Sequence, residues 1–371
     1  MSGQADKAGI RDLKREDLPA VGRLFQKTFR KNDAVPPSLL DHLHQIFFDH
    51  PWYDENLPSK VFVDADGNLE GFVGVFPARL ELNGRVLRAA FAGSLMVERP
   101  AQNPLAGARL LRAFLAGPQD ISLTETANSL ALGMWQKAGL PLDTGYSMSW
   151  LRVLRPASAV IGIMEQSLGA ARLLRPVGRL VDGVAERSGL SSLRALRLPE
   201  NRRSNFQDVT RDEFVAALLE LKDGFPLRPR WDQGALDWFM RQAEQKRNLG
   251  RPVRRIGRSR DGGIVGCYAY HGRPGRIARL LQALCTPAAA GDLVDDLFAH
   301  ADAAQCAGIR GGGHPWLAAE LVSRKAVFYG RSFFVAHARD KTLLEPVLAG
   351  RALISGLAGE NWTRLVGDRF D

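Results

Sequence analysis

Apolar positions along this chain recur with two spacings, and the switches between them predict the order of elements. A short extended start at residues 10–13 leads into residues 15–29, where Leu18, Val21, Leu24, Phe25 and Phe29 fall on one helical face. Pro36 and Pro37 break that stretch, and Leu39, Leu40, Leu43, Ile46 and Phe47 predict a second helix over 38–48. Extended segments follow at 60–64, 69–77 and 86–97. Asp66-Gly67 and Asn83-Gly84 between them are dipeptides suited to hairpin turns. Leu110, Leu111 and Phe114 then mark a helix, and alternation resumes at Ile121.

Residues 121–140 carry the most information. The strand from Ile121 runs into Asn128, which predicts a helix N-cap because its side-chain oxygen can accept from a free first-turn N–H. Leu130, Leu132, Met134 and Trp135 give the apolar face, and Gly139 closes the helix. Residues 146–153 alternate again, so strand, capped helix and strand read as one compact α/β unit. Residues 157–187 then look helical, with Pro176 interrupting and Arg172, Arg175, Arg179 and Arg187 decorating them. A helix pair in a domain interface fits this stretch better than a basic helix on a membrane surface, and peripheral membrane contact stays open.

The second half repeats the order of elements without a residue-level repeat. A strand at 206–209 precedes a helix opened by Thr210 and Glu213 as a capping box, and a further helix covers 231–245. Strands follow at 254–258, 264–270 and 276–285, then a helix at 293–307 and a strand end at 308–311. A helix over 318–329 closed by Gly330 and a last strand at 333–338 complete the pattern. The tail through Trp362 and Asp368 carries no assignment.

Composition adds bounds. A chain of 371 residues suits two domains, and 45% apolar with 24% charged residues is ordinary for a globular protein. Cys267, Cys285 and Cys306 form neither a disulfide framework nor a Cys-x-x-Cys pair, so small buried residues in a reducing compartment are expected, and no metal site. The polar start lacks a signal peptide's apolar core, and no apolar run could span a bilayer, which points to the cytoplasm. The net charge of +10 comes from scattered arginines without interleaved aromatics. That pattern argues against nucleic acid and fits either a phosphate-bearing ligand or mere compositional bias.

The Asn128–Gly139 segment, with Lys137, Gly139 and Leu140 at its end, resembles the last third of a Gcn5-related N-acetyltransferase (GNAT) domain. The two opening helices and the paired hairpins match that family's N-terminus and sheet. The resemblance implies an α/β chain of tandem GNAT-like domains, each a mixed, mostly antiparallel central sheet flanked by helices. Its parts would be residues 9–155, the likelier CoA-binding half; 156–204, a helical connector; 205–340, a second, degenerate domain; and 341–371, a tail. It implies acetyl-CoA or another acyl-CoA as co-substrate. The cofactor would lie along Met96, Val97, Asn103, Ala106, Gly107, Ala108, Arg109 and Asn128. Here Asn103, Ala106 and Ala108 stand in the places of the family's Gln/Arg-x-x-Gly-x-Gly/Ala loop, with its first glycine lost and Pro104 intruding. In the second half, Ala289, Ala290 and Gly291 are small enough for close backbone approach, but Asp292 opposes a phosphate. Trp135 occupies the position of the family's usual proton-donating Tyr, and Tyr146 is the nearby substitute; Tyr329 is a candidate in the second half. Glu125 is preferred over Glu98 as base. His42, His44 and His50 read as surface or acceptor-side residues, and His314, after a Gly-rich run, as pocket-lining or a packed turn. The implied activity is direct acyl transfer, acetyl first, to a primary amine of a small molecule, sugar or peptide. The alternatives are a non-catalytic GNAT-like binding or scaffold protein, and an aminoacyl-type transferase acting on cell-wall or polysaccharide precursors.

Overall fold

The structure, a computed structural model, describes residues 9–137, 142–164, 205–330 and 332–370. In chain order its strands are β1 (Gly9–Asp12), β2 (Lys60–Val63), β3 (Leu69–Leu82), β4 (Arg85–Val97), β5 (Ile121–Ala127), β6 (Leu142–Asp143), β7 (Met148–Val153), β8 (Phe206–Asp208), β9 (Leu227–Pro229), β10 (Arg251–Arg258), β11 (Ile264–Gly272), β12 (Ile277–Cys285), β13 (Gly308–Gly312), β14 (Val327–Gly330) and β15 (Phe333–Ala338). Among the described residues they form two mixed sheets. One runs β1-β2-β3-β4-β5-β15-β6, with β9 paired to the end of β3; the other runs β14-β7-β13-β12-β11-β10-β8. The predicted helices appear as α1 (Leu18–Phe25), α2 (Pro37–Phe48), α3 (Ala106–Leu115) and α4 (Ser129–Lys137).

The halves exchange strands. β7 leaves the unit that precedes it in the chain and pairs between β13 and β14, while β15 crosses back to lie between β5 and β6. Residues 121–153 are therefore not one compact unit. Trp150 on β7 explains the destination: it is buried against Phe298, and it lies over Gly311, where a Cβ would come within 2.8 Å of the indole. A side chain at 311 would close that space. In return, Phe334 and Val335 on β15 are fully buried in the first half. Each exchange also covers a sheet edge that would otherwise be open to pairing.

Three further expectations are corrected. The helix expected over 318–329 spans Ala318–Ser323 only. Lys325 takes a positive φ of 61°, and Ala326 N–H donates to the Leu321 carbonyl, which ends the helix and sends Tyr329 onto β14. Tyr146 precedes its strand, in the short helix Thr144–Ser147. Leu130 points outward at 69% exposure, and α4 buries Ala131, Leu132 and Trp135 instead. Gly139, Leu140 and most of the expected connector lie outside the described residues; Pro156–Met164 begins it as a helix.

The unassigned tail belongs to the core. Leu353, Ile354, Leu357 and Trp362 are buried in a cluster that also holds Phe72 and Phe76 of β3 and Phe239 of the helix Gln233–Glu244. Trp362 packs on Phe76, Trp238, Phe239 and His50, and its indole N–H donates to the Gly359 carbonyl at 2.7 Å. No described helix is long and apolar enough to cross a membrane.

Candidate active site

β4 and β5 are parallel neighbours over three residues only, Ala89–Phe91 against Ile121–Leu123, and both continue beyond. Past that point they diverge. β4 shifts register against β3 between Phe72 and Gly74, and its Ser94 adopts a φ of 52°. β12 and β13 repeat the arrangement, pairing at Ile277–Arg279 and Gly308–Arg310 before they part. Both openings face one cavity of about 400 Å³. Its first-sheet wall includes Ala92, Ser94 and residues 124–128, and its second-sheet wall includes Arg279–Leu281 and Arg310–His314.

Glu125 lies in this cavity, on the diverging end of β5. Its carboxylate accepts from Glu360 N–H at 2.6 Å, Gly356 N–H at 3.2 Å and the Asn361 side-chain amide at 2.6 Å. Glu360 answers in kind: it accepts the Glu125 backbone N–H at 2.7 Å and the Thr126 hydroxyl at 2.8 Å. Glu360 thus sits within the β4–β5 opening, where a Cβ on Gly93 of β4 would be 2.8 Å from its carboxylate. Burial pushes Glu125 up to about 7, against the pull of its hydrogen bonds and of Lys246. Burial also pushes Glu360 up to about 8, helped by the neighbouring charge of Glu125. Buried Lys246 holds the tail from behind, donating to the carbonyls of Asn361 and Val366, and burial lowers it to about 7.

Glu360 was invisible in the sequence. It lies 235 residues from Glu125, in a tail with no periodic pattern. Its raised affinity for a proton has a consequence for stability. The folded state holds that proton more tightly than the unfolded chain, so the group's contribution is complete below the ordinary carboxylate pKa and is lost as pH rises through about 8. Glu360→Gln cannot release this proton. Relative to the parent protein, the variant should gain stability between about pH 5.5 and about pH 7.5, by up to about 1.4 kcal/mol per pH unit. Thermal unfolding at both pH values checks this, and an unchanged difference between the two proteins would refute it.

The other expected site residues fall into two groups. Asn128, Tyr146 and Glu125 line the cavity. Asn128 caps α4 as expected, its Oδ1 accepting from Ala131 N–H at 2.8 Å. Tyr146 donates its hydroxyl proton to the Ala352 carbonyl at 2.6 Å and accepts the Ala352 N–H at 2.9 Å. Met96, Val97, Asn103 and Ala106–Arg109 form the end of β4, the following loop and the start of α3, outside the cavity wall. No side chain caps α3, and the Asn103 carbonyl accepts from Ala106 N–H at 3.1 Å. Gly107 lets α3 pack on α4: a Cβ there would be 2.8 Å from the Met134 sulfur. Ala108 is exposed, and the Arg109 guanidinium lies over the Phe62 ring. Trp135 is buried against Phe114 and also reaches the cavity wall.

Glu98 pairs with Lys27 on the surface, and the space beside Gly291 is taken by Arg324 and Glu320. Of the three histidines of α2 and its end, His44 stays near the surface beside Asp49, and two depart from expectation. His42 and His50 are buried: His42 Nε2 meets the Thr363 hydroxyl at 2.8 Å, and His50 Nδ1 accepts from Trp52 N–H at 3.0 Å. Burial lowers both to about 3, so they stay neutral.

No protein-family profile and no curated protein matches this sequence. Solved structures do. A conserved Enterococcus faecalis V583 protein described as a probable N-acyltransferase superposes with a TM-score of 0.57 at 11% identity, over 89% of this chain and 71% of that one. A GCN5-related N-acetyltransferase from Anabaena variabilis gives 0.55 at 11% identity, over 89% and 72%. Saccharomyces cerevisiae N-myristoyltransferase with bound myristoyl-CoA gives 0.48 at 12% identity, over 90% and 79%. The chain has the GNAT fold, in a two-sheet arrangement.

Proposed function

We propose that the protein transfers an acyl group, acetyl in the first instance, from an acyl-CoA thioester to a primary amine of a small molecule, sugar or peptide. One observation carries the reading: the diverging end of β4–β5 opens into a cavity floored by two carboxyl groups whose proton affinity is raised to near neutrality. The acyl-CoA arm would run past the diverging end of β4–β5 beside Asn128, outside the space that the Glu360 side chain fills. Its phosphates would lie toward Met96, Val97 and the uncapped start of α3, with Asn103 and Ala106–Arg109 around them. The amine nitrogen attacks the thioester carbonyl, the new C–N bond forms and the C–S bond breaks. Glu125 takes the ammonium proton, a task suited to a carboxylate with a pKa of about 7. The leaving thiolate draws a proton from water, or from the Tyr146 hydroxyl once that hydroxyl turns from the Ala352 carbonyl, since the indole of Trp135 has none to give. The first half is then the donor side, the second half the acceptor side, and the cytoplasm the setting.

Thermal unfolding with added acyl-CoA tests the reading. A ligand at 100–1,000 times its dissociation constant should stabilise by about 3–4 kcal/mol. No shift with acetyl-CoA or longer acyl-CoAs would overturn it. Trp135, with no transferable proton, favours a non-catalytic binding role as the second reading. A clear shift without turnover on any amine selects that one.

A further inference from the structure

Arg279 on β12 and Arg310 on β13 are register partners, and both line the cavity. Parallel neighbours in register project to the same face, so two guanidinium-bearing side chains stand side by side in one wall. Like charges so placed repel, more strongly where protein displaces water. Both arginines also make contacts within the protein, so their position is what matters here. The positive field has a visible effect on its surroundings: after burial itself, Arg279 is the largest influence lowering Lys246.

His314 adds an independent sign of a ligand. The turn through Gly313, at a φ of 68°, brings this ring into the same wall. The ring is buried against Trp316; the Gly312 carbonyl is the backbone group that acts on it, and neither nitrogen makes a well-directed hydrogen bond. Burial lowers it to about 4, so it is a neutral imidazole with one donor and one acceptor. A buried polar group left unsatisfied is costly, and such groups in native proteins call for an occupant. The opposite wall holds Glu125 and Glu360. The cavity is therefore bipolar, with the carboxyl groups of Glu125 on β5 and Glu360 of the tail on one side and the arginines and His314 of the second sheet on the other.

We propose that Arg279, Arg310 and His314 form an anion subsite, and that the acceptor is an amine carrying a carboxylate or phosphate at its other end. The ammonium end then meets the Glu125–Glu360 pair and the anionic end meets the arginines, with His314 donating its N–H. The word acceptor rests on the acyl-transfer reading; the anion subsite does not.

Calorimetric titration of the full chain tests it, with γ-aminobutyrate and O-phosphoethanolamine as bipolar probes and n-butylamine and ethylamine as matched amines lacking the anion. The bipolar probes should bind about tenfold or more tighter than their neutral-ended counterparts, and the tighter of the two identifies carboxylate or phosphate. Arg310→Gln should erase that preference, Arg310→Lys should keep part of it, and acetyl-CoA should still raise the melting temperature of both. Equal binding of bipolar and plain amines overturns the proposal, and this comparison needs no variant. It also fails if Arg310→Gln abolishes the acetyl-CoA shift, because the arginines would then serve the donor's phosphates. If γ-aminobutyrate binds and no acyl-CoA does, the transfer reading fails and the anion subsite stands.

Discussion

Glu125→Gln is expected to lower turnover by about 10²–10⁴-fold while leaving acyl-CoA binding in place. The parent rate should rise through about pH 7 as Glu125 gives up its proton, and the variant should lose that limb of the profile. The carboxylate can accept a proton from an ammonium because it sits at the open end of β5. It can hold its position while doing so because three donors from the tail, Gly356, Glu360 and Asn361, fix both of its oxygens. A glutamine keeps the shape but offers one acceptor oxygen instead of two, so some loss of stability accompanies the loss of rate. Steady-state kinetics across pH, alongside a thermal shift with acetyl-CoA, separates the two effects. A variant with full turnover would strip Glu125 of its role.

Trp362→Ala should produce the largest loss of stability, about 3–5 kcal/mol, the usual range for removing a large buried aromatic. For a protein of this size, that corresponds to a fall in melting temperature of about 4–6 °C. The indole is 1% exposed and fills the space among Phe76, Trp238, Phe239 and His50, so its removal leaves a cavity that rigid rings cannot close. Its N–H also holds the Gly359 carbonyl, one residue before Glu360. Activity should therefore fall with stability, even well below the melting temperature. Differential scanning calorimetry checks the first claim, and a melting temperature within about 2 °C of the parent would refute it.

Particular residues show what could be read in advance. Asn128 was legible as a cap because capping is local: the side chain and the N–H it accepts from are three residues apart. His42 is legible in position though not in fate. Residues 39, 42, 43, 46 and 47 form one helical stripe, so spacing alone puts His42 on the buried face, and only its residue type argues for the surface; His50 lies past the helix end, and the packing of Trp238, Phe239 and Trp362 around it decides its burial. The 318–329 helix was overread because its apolar residues continue past Lys325, where a left-handed backbone turns the chain onto β14.

Local sequence sets most of the element order, the N-cap at Asn128 and the place of Glu125 on its strand, because each depends on neighbours a few residues away. Only the assembled fold places β7 and β15. An alternating strand satisfies its pattern in any sheet with one buried face, and the choice is made by distant partners such as Gly311 under Trp150. It also decided the chemistry of the cavity. Glu125 becomes a base near neutrality only when a tail more than 200 residues away buries it and brings Glu360 beside it. Such a contact leaves no periodic trace in the chain, because it depends on the closing of the whole fold.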